Sequence, residues 1–236
     1  MKPYKFEPYL KTTIWGGYRI APFKGIYTAQ PNIGESWEIS GVPGHESDVG
    51  AKIYAGLKKG ITPEDYERMA TAEPIGGRSP MQNVIATHEA HQGDLFFLPA
   101  GRLHAIGASN FLAEIQQSSD ITYRIYDFDR IDKNGKKREL HTDLALEAID
   151  FDEYDDYKGH LELDRQGTAL IKRCDKFVSE LMRVETPMTV DVKSTGSFRI
   201  LICISGEVEI AGSNGSRERL ATCDTVLLPY ALDKAV

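Results

Sequence analysis

This sequence has few of the features that mark an exported, membrane-bound or disulfide-stapled protein. Its three cysteines, Cys174, Cys203 and Cys223, are widely spaced, odd in number and form no Cys-x-x-Cys pair. That argues for reduced thiols, and against both a disulfide frame and a cysteine-based zinc site. No run of about 18 apolar residues occurs, so no membrane span is expected. The opening residues, Met1 to Tyr9, lack the apolar stretch of a signal peptide, which leads to the expectation of a cytoplasmic protein. An excess of positive charge is also missing. Lys and Arg number 28 against 35 Asp and Glu, a formal net charge of −7, so a nucleic-acid partner gains no general electrostatic support. Helix signals are scarce as well, with one opening at Thr62-Pro63-Glu64-Asp65 and a shorter one over 142–149.

What is present is β-strand punctuation. The 236 residues, 41% hydrophobic and 27% charged, suffice for one large or two small domains with a buried core. Short apolar or alternating segments at 35–40, 52–55, 94–98, 111–117 and 121–127 are separated by Gly, Pro, Asn and Asp. A second set follows at 177–184, 188–193, 198–204, 206–211 and 224–228, a spacing that predicts an all-β sandwich or barrel. Ile200–Ile204 and Glu207–Ile210 flank Ser205-Gly206 and read as one hairpin. The acidic stretch 150–156 reads as a solvated linker between two β units. The basic loop 130–138 reads as a hairpin tip on its Asn134-Gly135 turn, or alternatively as a contributor to binding a small anionic substrate.

The most informative stretch runs from Gly93 through Pro99 and Gly101 to His104. It fits Gly-x5-Pro-x-Gly-x2-His, the second cupin motif, at each of these positions. The usual later Asn is displaced, since position 108 is Ala and Asn falls at 110. A strand ends at the proline, the glycine permits a tight turn, and the chain is expected to re-enter the sandwich with His104 pointing inward. A neutral imidazole there can ligate a divalent metal if its other nitrogen is held. The bland alternative is a satisfied core histidine.

The continuation, Phe111 to Phe128, together with Trp15-Gly16-Gly17, Gly34 to Glu38 and Ala51 to Leu57, resembles the short bacterial type I mannose-6-phosphate isomerases. The resemblance covers nearly the whole chain and is most specific over 93–141. It implies two cupin-type β-sandwich (jelly-roll) units with a few short helices: residues 1–150 as the catalytic domain and 161–236 as a second, metal-free domain. It also implies one zinc ion and a small phosphorylated sugar as substrate, mannose 6-phosphate being interconverted with fructose 6-phosphate. Carried over by position, His104 matches a zinc-ligating histidine and Arg124 the active-site arginine. Glu114 and Asp120 match acidic pocket positions, and Arg130 falls where a residue on the phosphate side is expected. Those residue types suit the chemistry. An enediolate formed by moving a proton between adjacent sugar carbons is stabilised by a metal and a guanidinium. The planar fork of Arg also suits phosphate. For Glu114 an outward-facing strand carboxylate is the alternative; for Arg124 it is a salt bridge with Asp120 or Asp127.

One part of the pattern is missing. The resemblance calls for a Gln-x-His pair and a Glu as further metal ligands, between the Trp37–Ser40 and Ala51–Tyr54 landmarks. Only Gly41–Gly50 lies between them, so the first domain is expected to lack a segment there, with apolar surface exposed at a sheet edge, and the second to be truncated at its end. His88-Glu89-Ala90-His91 is not His-Glu-x-x-His and reads as a surface turn. His45 and Glu46 lie at the junction, while His141 and His160 read as surface residues. One imidazole is short of the three protein ligands usual at catalytic zinc, so weak or no turnover is expected of the chain as it stands. A non-catalytic relic that binds a phosphosugar or acts in assembly is the alternative. A cupin oxygenase would need clustered histidines with a carboxylate, which the sequence lacks.

Overall fold

Strand pairing among the described residues is antiparallel throughout. The computed structural model describes all residues except 1, 18, 38–50, 77–78, 108, 118–120, 128–130 and 133. The expected gap at 41–50 therefore lies outside the described residues. Strands dominate and the helices are short, in accord with the all-β expectation. No helix among the described residues is long and apolar enough to cross a membrane.

The chain divides into two units, one made of Met1–His45, Phe111–Gln117 and Leu163–Val236, the other of Glu46–Asn110 and Ser118–Glu162. This differs from the expected division at 1–150 and 161–236. Tyr4 and Lys5 pair with Leu227 and Val226, which ties the amino-terminal residues to the carboxy-terminal unit.

In that first unit the Thr225–Leu228 strand is central, flanked by Tyr4–Lys5 and Arg199–Ile202. Its core gathers Val190, Val192, Ile210, Leu220, Val226, Leu228, Leu232 and Ala235. Burying a Val or Leu side chain contributes roughly 1.5–3 kcal/mol, so this cluster carries much of the unit's stability. The expected hairpin between 200–204 and 207–210 does not form. Glu207–Ala211 pairs instead with Arg217–Ala221, and Arg199–Ile202 pairs with Thr225–Leu228. The turn over 212–216 explains the outcome: it holds an Asn-Gly pair with Gly215 at φ 81°, a stronger hairpin signal than Ser205-Gly206.

The second unit is built on a three-stranded sheet in the order Ile85–Glu89, Lys52–Leu57, His104–Ile106. Its helix Pro63–Thr71 starts as expected. Thr62 and Asp65 form a reciprocal capping box and proline occupies the first turn. A second helix spans Thr142–Ala148. Both pack into a core with Leu57, Tyr66, Met81, Val84, Ile85, Leu103 and Ala145. The basic loop is a hairpin tip, as its turn chemistry suggests: Asp132 Oδ1 accepts from the backbone N–H groups of Asn134 and Lys136, each at 2.8 Å.

Two expectations fail here. Residues 111–117 and 121–127 form no strand ladder among the described residues; alternation selects a face, but a ladder also needs a free edge beside it. The acidic stretch 150–156 is no solvated linker either. It straps the turn that precedes His104. The Asp150 N–H donates to the Gly101 carbonyl at 2.9 Å, and Tyr154 Oη donates to Asp150 Oδ2 at 2.7 Å. The Gly60 N–H donates to Glu153 Oε1 at 2.7 Å. Just past the acidic stretch, Tyr157 lies on Gly56, where an added Cβ would come within 2.2 Å of its ring. Two tyrosines three residues apart supply apolar area that the run of carboxylates conceals.

Candidate active site

The local fold of Gly93–His104 follows from its residue types. Asp94–Leu95 pairs with Gly159–His160, and the ladder stops short of Pro99, which has no N–H to give. The Arg102 N–H closes the turn onto the Pro99 carbonyl at 3.1 Å. Gly101 sits at φ 87°. A Cβ there would stand 3.0 Å from the Ala148 carbonyl oxygen, so glycine is required for both conformation and approach. The chain then joins the sheet, with His104 opposite Ala55.

His104 is exposed, contrary to the inward orientation expected. Tyr54 and Ala105 form the neighbouring pair, and Tyr54 packs against the core of this unit. Strand alternation therefore sends His104 to the opposite face. Its imidazole is nonetheless held. Nδ1 lies 2.9 Å from the Arg102 carbonyl oxygen. A carbonyl only accepts, so Nδ1 carries the proton and Nε2 presents its lone pair.

Arg124 lies in the same unit as His104. Its backbone N–H donates to His141 Nδ1 at 3.0 Å, and its guanidinium Nη1 donates to the Glu139 carbonyl at 3.4 Å. Asp127 is engaged by Arg138 through two hydrogen bonds, one of them 2.6 Å from Nε. Glu114 is half-buried and belongs to the first unit, not to the unit of His104 and Arg124. Asp120, Arg130, His45 and Glu46 lie outside the described residues.

The His88–His91 stretch is not a surface turn. Ile85–Glu89 is a strand, and His88 Nε2 donates to the Ala55 carbonyl at 3.1 Å. His141 occupies the position before the second helix, makes no side-chain cap there and is half-buried, whereas His160 is exposed as expected. Asp94 accepts from Lys158, the His91 backbone N–H and His160, at 2.7, 2.7 and 3.1 Å. Burial pushes its carboxyl up, but these bonds together outweigh burial and hold it below the ordinary value. A cavity of about 530 Å³ beside the strap, lined by Lys58, His88, Tyr154, Tyr157 and Lys158 among others, contains neither His104 nor Arg124.

No known protein-family profile matches the chain. Individual relatives do. The mannose-6-phosphate isomerase of Streptococcus mutans is 37% identical over 106 residues, 45% of this chain and 28% of that protein. The mannose-6-phosphate isomerase ManA of Bacillus subtilis is 32% identical over 157 residues, 66% of this chain and 49% of that protein. The chain is a relative of the mannose-6-phosphate isomerases. The crystal structure of the Bacillus subtilis mannose 6-phosphate isomerase superposes with a TM-score of 0.82 at 19% identity, covering 100% of this chain and 96% of that one. The fold is thus shared with that isomerase. In sequence the chain spans about half the length, or less, of the relatives it matches.

Against this isomerase background the metal-ligand set can be tested. Among the described residues no group of three or more His, Cys, Asp or Glu side chains is placed to hold a metal ion. His104 has the posture of one ligand, with its far nitrogen anchored, but catalytic zinc usually takes three from the protein. The described residues therefore do not complete a zinc centre. Sequence reasoning also passed over Arg102, Tyr154 and Tyr157. Arg102 occupies an unconstrained position of the motif, and the tyrosines sit inside and beside an acidic run. Their i, i+3 spacing was the available signal.

Proposed function

We propose that this protein is an aldose–ketose isomerase acting on mannose 6-phosphate and fructose 6-phosphate, with His104 as one ligand of a zinc ion. The observation that carries the reading is the held imidazole: Nδ1 is anchored to the Arg102 carbonyl at 2.9 Å, leaving Nε2 as the ligating atom. When bound, zinc would stabilise the negative charge that develops on the sugar oxygens as the proton moves between adjacent carbons. Arg124 contributes a fixed positive charge for an anionic substrate, held from the segment after the hairpin tip through Glu139 and His141. The similarity to named mannose-6-phosphate isomerases supports the substrate class.

A second reading, a metal-free relic that binds a phosphosugar without turning it over, is favoured by the ligand count among the described residues. A coupled assay on the purified 236-residue chain with added zinc, run beside His104→Ala, separates the two. Turnover abolished by the substitution supports the isomerase and directs attention to His45 and Glu46 for the remaining donors. No turnover, with zinc absent from the protein, supports the relic and overturns the isomerase.

A further inference from the structure

The side chain of Arg102 is 5% exposed, an unusual state for an arginine whose ion-pair partner among the described residues, Asp156, faces solvent. Its guanidinium carbon lies 4.5 Å from the ring centre of Tyr154 and 4.8 Å from that of Tyr157. The two rings stand at 83° to one another, so the cation sits in an aromatic corner. Nη1 donates to the Phe97 carbonyl at 3.0 Å, and Nη2 is 3.6 Å from Asp156. Nε is buried with no hydrogen-bond partner among the described residues. An ordinary surface ion pair would leave this group in water, and contributes little. Here the ring faces replace much of the lost hydration.

The residue's backbone has a different task. Its N–H closes the turn onto Pro99, at 3.1 Å, and its carbonyl accepts the Nδ1 proton of His104. On the strap side, the Asp150 N–H holds the preceding carbonyl, that of Gly101. Side chain and main chain of one residue thus link the strap to the imidazole.

We propose that Arg102 is a positioning residue: the corner formed by Tyr154 and Tyr157 fixes the turn, so that its carbonyl keeps His104 in the Nδ1–H form with Nε2 outward. This deepens the isomerase reading and rests on it for its catalytic meaning. The coupling of strap to tautomer, however, stands on contacts alone. A single imidazole tautomer requires a partner held in place, and a solvated turn would let both forms interconvert.

The test is long-range 1H–15N NMR of the imidazoles in the full 236-residue chain, without added metal, at a pH where His104 is neutral. The parent should show one His104 tautomer, Nδ1–H. Arg102→Met, which keeps an unbranched apolar stem but removes the charge and the fork, should show a mixture with Nε2–H; Arg102→Lys should recover part of the single form. A folded Arg102→Met with the parent pattern overturns the proposal. If that variant does not fold, Tyr154→Leu, which removes one wall of the corner, is read the same way and decides it. The two readings can fail separately. Lost turnover in Arg102→Met with an unchanged tautomer overturns the positioning role and leaves the isomerase standing. A tautomer change in a chain that never turned over does the reverse.

Discussion

Residues 93–107 and residues 111–127 carry comparably specific sequence patterns, yet the chain treats them differently. The first stretch is closed by its own turn, joined to the Lys52–Leu57 strand, and strapped by Asp150 to Tyr157. The second forms no ladder among the described residues, and Ile121 and Tyr123 are 73% and 43% exposed. Its later part, residues 121–127, lies in the second unit and is held there by side-chain and turn chemistry, such as the Arg138–Asp127 pair and the Arg124–His141 exchange. A pattern that contains its own closing turn folds as read. A pattern that awaits a neighbouring edge depends on what the rest of the chain supplies.

That contrast can be broken by substitution, and the largest effect is expected at Gly56. The residue sits at φ 78° in a strand bulge, and its missing Cβ is the space Tyr157 occupies. Gly56→Ala should impose left-handed strain of about 1–2 kcal/mol and displace the ring. The total loss should reach about 2–4 kcal/mol, read from the urea midpoint. A loss near zero would mean that the strap does not hold the first stretch.

A smaller effect is expected at Asp94, which ties the start of the motif to Gly159–His160. Asp94→Asn keeps the size and removes the charge from three hydrogen bonds, a loss of about 1–2 kcal/mol at neutral pH. The sign with pH follows from the lowered carboxyl. Because the folded group titrates below its ordinary value of 3.8, the unfolded chain takes up the proton first as pH falls. The stabilisation is therefore complete above the ordinary carboxylate range and is lost as pH falls through the folded value. The gap between parent and Asp94→Asn should stay level from neutral pH to about 5 and close below about 4. A gap that widened in acid would contradict the hydrogen-bond assignment. The smallest effect belongs to the other stretch: Ile121→Ser should change stability by no more than about 0.5 kcal/mol. A large loss there would show that the exposed face is covered in solution.

The same distinction explains what could be read from the residues alone. The capping box at Thr62, the Asn134-Gly135 tip and the Pro99–Gly101 turn are local, and each has a mechanism that works within a few residues. Strand partners are not local. The 199–202 and 207–211 segments were recognisable as strands, but their pairing with 225–228 and 217–221 was set by a second, better turn and by a shared core. The site divides along the same line. The motif marked His104 and the resemblance marked Arg124, whereas the exposure of His104 and its register opposite Ala55 needed the structure. The role of the acidic strap needed the third dimension, because charge count says where water is welcome and nothing of where two tyrosines turn.

The placement of His104 in a metal-binding site is tested most directly by zinc binding to the intact chain, followed by equilibrium competition against a chelator, with His104→Ala alongside. The parent should hold zinc, and the substitution should weaken it by more than the roughly 10–100-fold that outer partners of a ligand are worth. Equal affinity in the two proteins, or no zinc bound by the parent, would contradict it.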